Sequence, residues 1–182
     1  MELTKTQQTE LLALARSVIR ARFEHQQIAV PQDKLFSQKL GLFVSLHRHG
    51  ELRGCIGYVK GHKSITESVV EMAQAAAFRD SRFPPLAIDE MDELEIEISV
   101  LGQLIAVTDT SEIEVGRDGL YLEHPWGSGL LLPQVALEWH WDRKTFLRHI
   151  CQKAGLQPKA WEEEGARLYR FEACVFGDSQ TF

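Results

Sequence analysis

Apolar and polar positions along this chain alternate with two different periods, and the switches between them mark its elements. Leu11, Leu14, Ala15 and Val18 recur at helical spacing behind Thr4 and Gln7, whose separation is that of a capping box. An amphipathic helix is therefore predicted to open the chain and to end before Pro31. Leu42 to His47 and Leu52 to Val59 are short apolar runs separated by Arg48, His49, Gly50 and Glu51, the pattern of a hairpin with Gly50 in its turn. Ser64 and Glu67 repeat the capping-box spacing ahead of Ile65, Val69, Met72, Ala73 and Ala76, a small-residue stripe suited to close packing on a sheet. Pro84 and Pro85 remove backbone donors and push Phe83 towards extended backbone, so Asp80 to Pro85 reads as a shaped loop.

Further along, Leu94, Ile96, Ile98 and Val100 alternate with Glu93, Glu95, Glu97 and Ser99, which predicts a strand with one core face and one wet face. Asp118 and Gly119 read as a tight turn between strands Ile113 to Val115 and Leu120 to Leu122, and Gly127-Ser128-Gly129 as a break before Leu130 to Leu132. Pro133 suits the first turn of a helix. Asp142 is placed to cap a helix bearing Phe146, Leu147, Ile150, Cys151 and Ala154, with Gly155 as its stop. Leu168 to Phe176 reads as one closing strand. The order lacks regular βαβ alternation, so the predicted class is α+β with a mainly antiparallel sheet and packed helices, residues 1–182 forming a single domain.

Composition narrows the class of function. Twenty Lys and Arg against 26 Asp and Glu leave a net charge of −6, which argues against a basic nucleic-acid module and leaves room only for a local basic patch. Three widely spaced cysteines offer neither a disulfide framework nor a thiolate zinc cluster and point to a reducing, cytoplasmic setting. A polar start and the lack of any run of ~20 apolar residues argue against a secretion signal and a membrane span.

The most unusual stretch is Leu52-Arg53-Gly54-Cys55-Ile56-Gly57, because glycines inside an apolar strand mark a bulge or the close approach of another group. A hairpin symmetric about His49 and Gly50 sets Cys55 opposite Val44 and Arg53 opposite Leu46. Arg53 and Cys55 then share a face, ~6–7 Å apart along the strand, where the guanidinium favours the thiolate. A small hydrophobic cysteine beside a snorkelling arginine fits the same spacing. On that register His47 faces away from Cys55, ~10 Å along, and His124, His140 or His149 would reach it only through the fold. His47 and His49 make an alternate pair without a third ligand at recognisable spacing, so no metal site is read here. Asp80, Arg82 and Phe83 place opposite charges and a ring on a stiff loop suited to one wall of a binding site, or to a pair that only orders the loop. Gln134 offers donors and acceptors at a helix start. Trp139 and Trp141 read as anchors of a core edge, Cys151 as inert, and Gly127-Ser128-Gly129 as neither a nucleophile elbow nor a dinucleotide fingerprint.

The signature from Leu52 to Gly57 resembles that of the AMMECR domain family. Asp80-x-Arg82-Phe83-x-Pro85, Glu97 to Leu101, Val115-Gly116-x-Asp118-Gly119-Leu120, Leu131 to Val135 and Cys151-x-Lys153-Ala154-Gly155-Leu156 resemble its other blocks in the same order. Prokaryotic members are the AmmeMemoRadiSam system protein A, encoded with a Memo-like protein and a radical S-adenosylmethionine (radical SAM) protein. The resemblance implies an α+β fold with a larger and a smaller lobe and a cleft between them. It implies Memo-like and radical SAM proteins as pathway partners, with an unspecified small molecule or peptide as ligand. No cofactor and no particular reaction come with it. Carried across residue by residue, it picks out Arg53, Gly54, Cys55, Gly57, Asp80, Arg82, Phe83 and Gln134. Two readings follow. In the first, the chain is a catalytic or substrate-handling component with Cys55 as nucleophile or redox thiol, Arg53 holding an anionic group and Asp80 as acid, base or orienter. In the second it is a non-catalytic binding module or adaptor. Nucleic-acid binding ranks third.

Overall fold

In the computed structural model, which describes residues 2–25 and 27–178, the elements in chain order are α1 (Lys5–Arg20), β1 (Leu42–Arg48), β2 (Glu51–Tyr58), α2 (Ile65–Phe78), β3 (Leu94–Leu101), β4 (Ile105–Ala106), β5 (Gly119–His124), β6 (Gly127–Leu131), α3 (Pro133–Glu138), α4 (Arg143–Lys153), β7 (Arg167–Phe171) and β8 (Ala173–Gly177). The fold is α+β, with two four-stranded antiparallel sheets where one was expected. The chain divides into two compact units, Gly102–Ala173 and the sequence on either side of it. No helix among the described residues is long and apolar enough to cross a membrane.

The flanking unit holds the sheet ordered β2-β1-β3-β8. Capping boxes start both of its helices as the spacing predicted, Thr4 with Gln7 for α1 and Ser64 with Glu67 for α2. His49 and Gly50, at φ 53° and 78°, form the tight β1–β2 turn, whose handedness suits the twist of a hairpin. Leu42, Val44 and Leu46 of β1 and Ile96, Ile98 and Val100 of β3 are buried in one core with Leu11 and Val18 of α1 and Val69 and Ala73 of α2. Each large side chain so buried contributes about 1.5–3 kcal/mol. Strand alternation then puts Phe43, Ser45 and His47, with Glu95, Glu97 and Ser99 beside them, on the opposite face.

The other unit carries the sheet ordered β4-β7-β5-β6. Asp142 accepts from the Thr145 N–H at the start of α4, and Gly155, at φ 73°, ends it. Phe146, Leu147, Ile150 and Cys151 pack on Leu120 and Leu122 of β5, and Cys151 is wholly buried. Four expectations fail here. Gly127, Ser128 and Gly129 do not break the chain but form most of β6, because the backbone of Ala154 lies against the two glycines where a Cβ would strike it. Ile113 to Val115 is no strand, and the turn falls at Gly116, φ 93°; Asp118 is wholly buried, and its carboxylate accepts from the Glu114 N–H and from Arg117. Leu168 to Phe176 is two strands in different sheets, parted at Glu172, and its buried residues Leu168, Phe171 and Phe176 do not keep a period of two. Trp139 is 67% exposed rather than a core anchor, because α3 ends in a Schellman turn with His140 in the left-handed position at φ 52°.

Candidate functional site

β2 contains a bulge at the signature. Arg48 faces Glu51 and His47 faces Leu52, but Leu46 then faces Gly54, so Arg53 is an extra residue with no partner in β1. The expected register is overturned by one residue, and Cys55 lies opposite Ser45 rather than Val44. The cause is packing. Gly54 occupies the core-facing position, and a Cβ there would run into the carbonyl oxygen of Ala76 in α2. The space that the glycine leaves is filled by a helix backbone. Gly57 is constrained in its own way, since a Cβ would meet the Leu42 carbonyl and the Phe43 ring.

The shift changes the neighbours of the thiol. Cys55 is a free, half-buried cysteine on the polar face of the sheet, and the Ser45 hydroxyl donates to its Sγ at 3.2 Å. His47 lies two residues beyond Ser45, so it shares this face, contrary to the expectation that it would point away.

β2 is an edge strand, and at Cys55 side chains take the place of the missing strand neighbour. The Cys55 N–H donates to Asp80 Oδ2 at 2.9 Å, and the Cys55 carbonyl accepts from Arg82 Nη2 at 3.0 Å. The same guanidinium donates to Asp80 through Nε at 2.9 Å and Nη2 at 2.7 Å, and the Arg82 N–H adds a bond at 3.1 Å. Arg82 thereby holds the buried Asp80 carboxyl far below the usual carboxylate range, with the Cys55 N–H assisting against the cost of burial. So held, the carboxylate is placed to orient both the Arg82 guanidinium and the Cys55 main chain. Asp80 in turn raises the Arg82 pKa, with a smaller contribution from Cys55, and the guanidinium sits 5.5 Å from the centroid of the Phe83 ring.

Arg53 is committed elsewhere. Its Nε and Nη2 bind both oxygens of Glu90 at 2.7 and 2.9 Å, a bidentate pair that presses the Glu90 carboxyl down to about 2 against the desolvation that would raise it. Arg48 adds a second, longer contact to Glu90 at 3.4 Å. The cation bound to Cys55 is therefore Arg82. Gln134 is the second residue of α3, in the other unit. His124 pairs with Glu163 at 3.2 Å, His149 stacks on Trp141 and His49 pairs with Glu93 at 3.2 Å. Among the described residues no three His, Cys, Asp or Glu gather as a metal-ion ligand set.

Ser45 and Glu90 escaped the sequence reading, and His47 was placed on the wrong face. Ser45 follows from the corrected register alone. Glu90 lies in an acidic turn with no motif of its own, and its tie to Arg53 spans 37 residues.

Comparison with known proteins agrees in one direction. Residues 12–176 match the AMMECR1 family model. The chain is 41% identical to Protein MJ0810 of Methanocaldococcus jannaschii over 96% of its own length and 91% of that protein. It is 40% identical to Protein TK0174 of Thermococcus kodakarensis, with 91% and 87% covered. The crystal structure of the uncharacterized protein PH0010 from Pyrococcus horikoshii matches with a TM-score of 0.81 at 38% identity, over 93% of this chain and 90% of that one.

Proposed function

The chain belongs to the AMMECR1 family, and on that premise we propose that it handles a substrate through the Cys55 thiol, as one component of a pathway shared with a Memo-like and a radical SAM protein. The observation that supports this is the frame around Cys55. Its N–H and C=O are both bound by side chains, Asp80 on one and Arg82 on the other, while its sulfur is left on the polar face with the Ser45 hydroxyl bound to it. A cysteine that served only packing would need no such frame. In this reading Cys55 supplies the thiol, Arg82 the adjoining positive charge, Asp80 the orientation of both, and Arg53 with Glu90 the rigidity of the bulge.

The second reading, a binding module in which Cys55 only packs, is favoured by one observation. Both Asp80 and Arg53 are fully engaged by internal partners, so neither is free to act on a substrate. Modification of the native protein with iodoacetamide, followed at each cysteine by mass spectrometry, separates the two. Selective alkylation of Cys55, with loss of pathway output in Cys55→Ala, supports substrate handling. A Cys55 that is inert in the native fold, together with an Arg53→Ala variant that loses the partner proteins, replaces it with the binding module.

A further inference from the structure

A second surface stands out in the unit formed by Gly102–Ala173, and it runs against the charge of the whole chain. From Trp139 to Lys159 there are five Lys or Arg and a single acid, Asp142, within a protein of net charge −6. Asp142 is occupied in capping α4, and it is the acid that senses Lys144 and Arg148. Lys144, Arg148 and Lys153 are solvent-exposed on α4 and form no ion pair among the described residues. Lys144 and Arg148 are four residues apart and share one row of the helix, whereas Lys153 stands four beyond His149 on the row that carries the stacked ring, about 140° round the axis from Arg148.

Beside these charges stands a ladder of rings. His149 lies on Trp141 with ring centroids 3.8 Å apart and planes within 2°, and Trp141 stacks in turn with Trp139 at 6.3 Å and 20°. The ladder ends in Trp139, whose 67% exposure leaves its ring available to a further planar group. Its outward placement follows from the left-handed turn at His140, a conformation that the equivalent turn of α4 reserves for Gly155.

We propose that this corner of α3 and α4 binds single-stranded nucleic acid, an unpaired base stacking on Trp139 and phosphates lying along Lys144, Arg148 and Lys153. Exposed rings beside unpaired cations are the combination by which single strands are held without reading their sequence. A duplex offers the charges but hides its base faces, and an acidic peptide offers charges without an equivalent planar surface. The assignment rests on residues outside the Cys55 site and stands or falls independently of it.

The test is fluorescence anisotropy of the full chain with a labelled single-stranded oligouridylate of about 12 nucleotides, and with the DNA of the same length, at ~50 mM salt and above. Binding that weakens with salt is expected, with about a tenfold loss in Trp139→Ala and near-full retention in Trp139→Phe. Lys144→Glu with Arg148→Glu should weaken binding further and flatten its salt dependence. These residues are exposed, and circular dichroism checks that each variant folds. Absence of binding at ~50 mM salt overturns the proposal, as does a Trp139→Ala variant that binds like the parent. Displacement by polyglutamate as effective as by the oligonucleotide would also overturn it, by showing a surface for acidic peptides.

Discussion

Two strands of this protein, β2 and β6, are built on the same device and differ in what surrounds it. Each carries glycine where a helix backbone comes close, Gly54 against Ala76 of α2, and Gly127 and Gly129 against Ala154 at the end of α4. In β6 nothing more happens, and Ser128 between the glycines is an exposed residue of a plain hairpin. In β2 the glycine that packs is accompanied by a bulge, by Asp80 and Arg82 on the Cys55 main chain, and by Glu90 on Arg53. Glycines inside a strand are therefore accounted for by close contacts in this fold, and what sets β2 apart is the side chains that frame its edge.

The comparison is broken or sharpened most strongly by filling the glycines. Gly54→Ala and Gly127→Ala each place a Cβ on a helix carbonyl oxygen and should lower stability by about 1–3 kcal/mol in chemical denaturation. A Gly54→Ala protein as stable as its parent would show that this glycine serves something other than packing. Next in size is Asp80→Asn, which removes the charge holding Arg82 and weakens the bond to the Cys55 N–H. A loss of about 1–2 kcal/mol is expected, with no counterpart for Ser128→Ala in β6.

The acid limb of stability gives a third, smaller effect. Asp80 and Glu90 both have folded pKa values below their ordinary ones, through Arg82 and Arg53 respectively, so the folded state binds fewer protons than the unfolded chain. Their stabilisation is complete above the usual carboxylate range and is lost as the pH falls, for Glu90 between about 4.5 and about 2. Glu90→Gln should flatten the decline of melting temperature over that interval, and an unchanged slope would refute the pairing with Arg53. The smallest effect is expected for Cys55→Ser, within about 1 kcal/mol of the parent, since the frame acts on the main chain and not on the sulfur.

Much of the fold was legible because its signals are local. Both capping boxes, the His49-Gly50 turn, the cap at Asp142 and the stop at Gly155 depend on neighbours a few residues away. The bulge was not legible, because it is set by the approach of Ala76, 22 residues beyond Gly54, and a one-residue slip exchanges the faces of a strand. From that slip came the errors about Val44 and His47. The loop Asp80 to Pro85 was correctly read as shaped, yet only the fold shows that its charges bind the edge of β2. Trp139 was misread for a related reason. Alternating tryptophans suggest a core edge, and the left-handed turn that directs one of them outward falls on a histidine.

The measurement that tests the role of the frame most directly is the rate of alkylation at each cysteine of the native protein, compared between the parent and Arg82→Ala. Cys55 should be modified ahead of half-buried Cys174 and well ahead of buried Cys151, and loss of the Arg82 charge should slow it several-fold. A Cys55 as protected as Cys151, or one whose rate ignores Arg82, would contradict a thiol framed for chemistry and leave β2 as another β6.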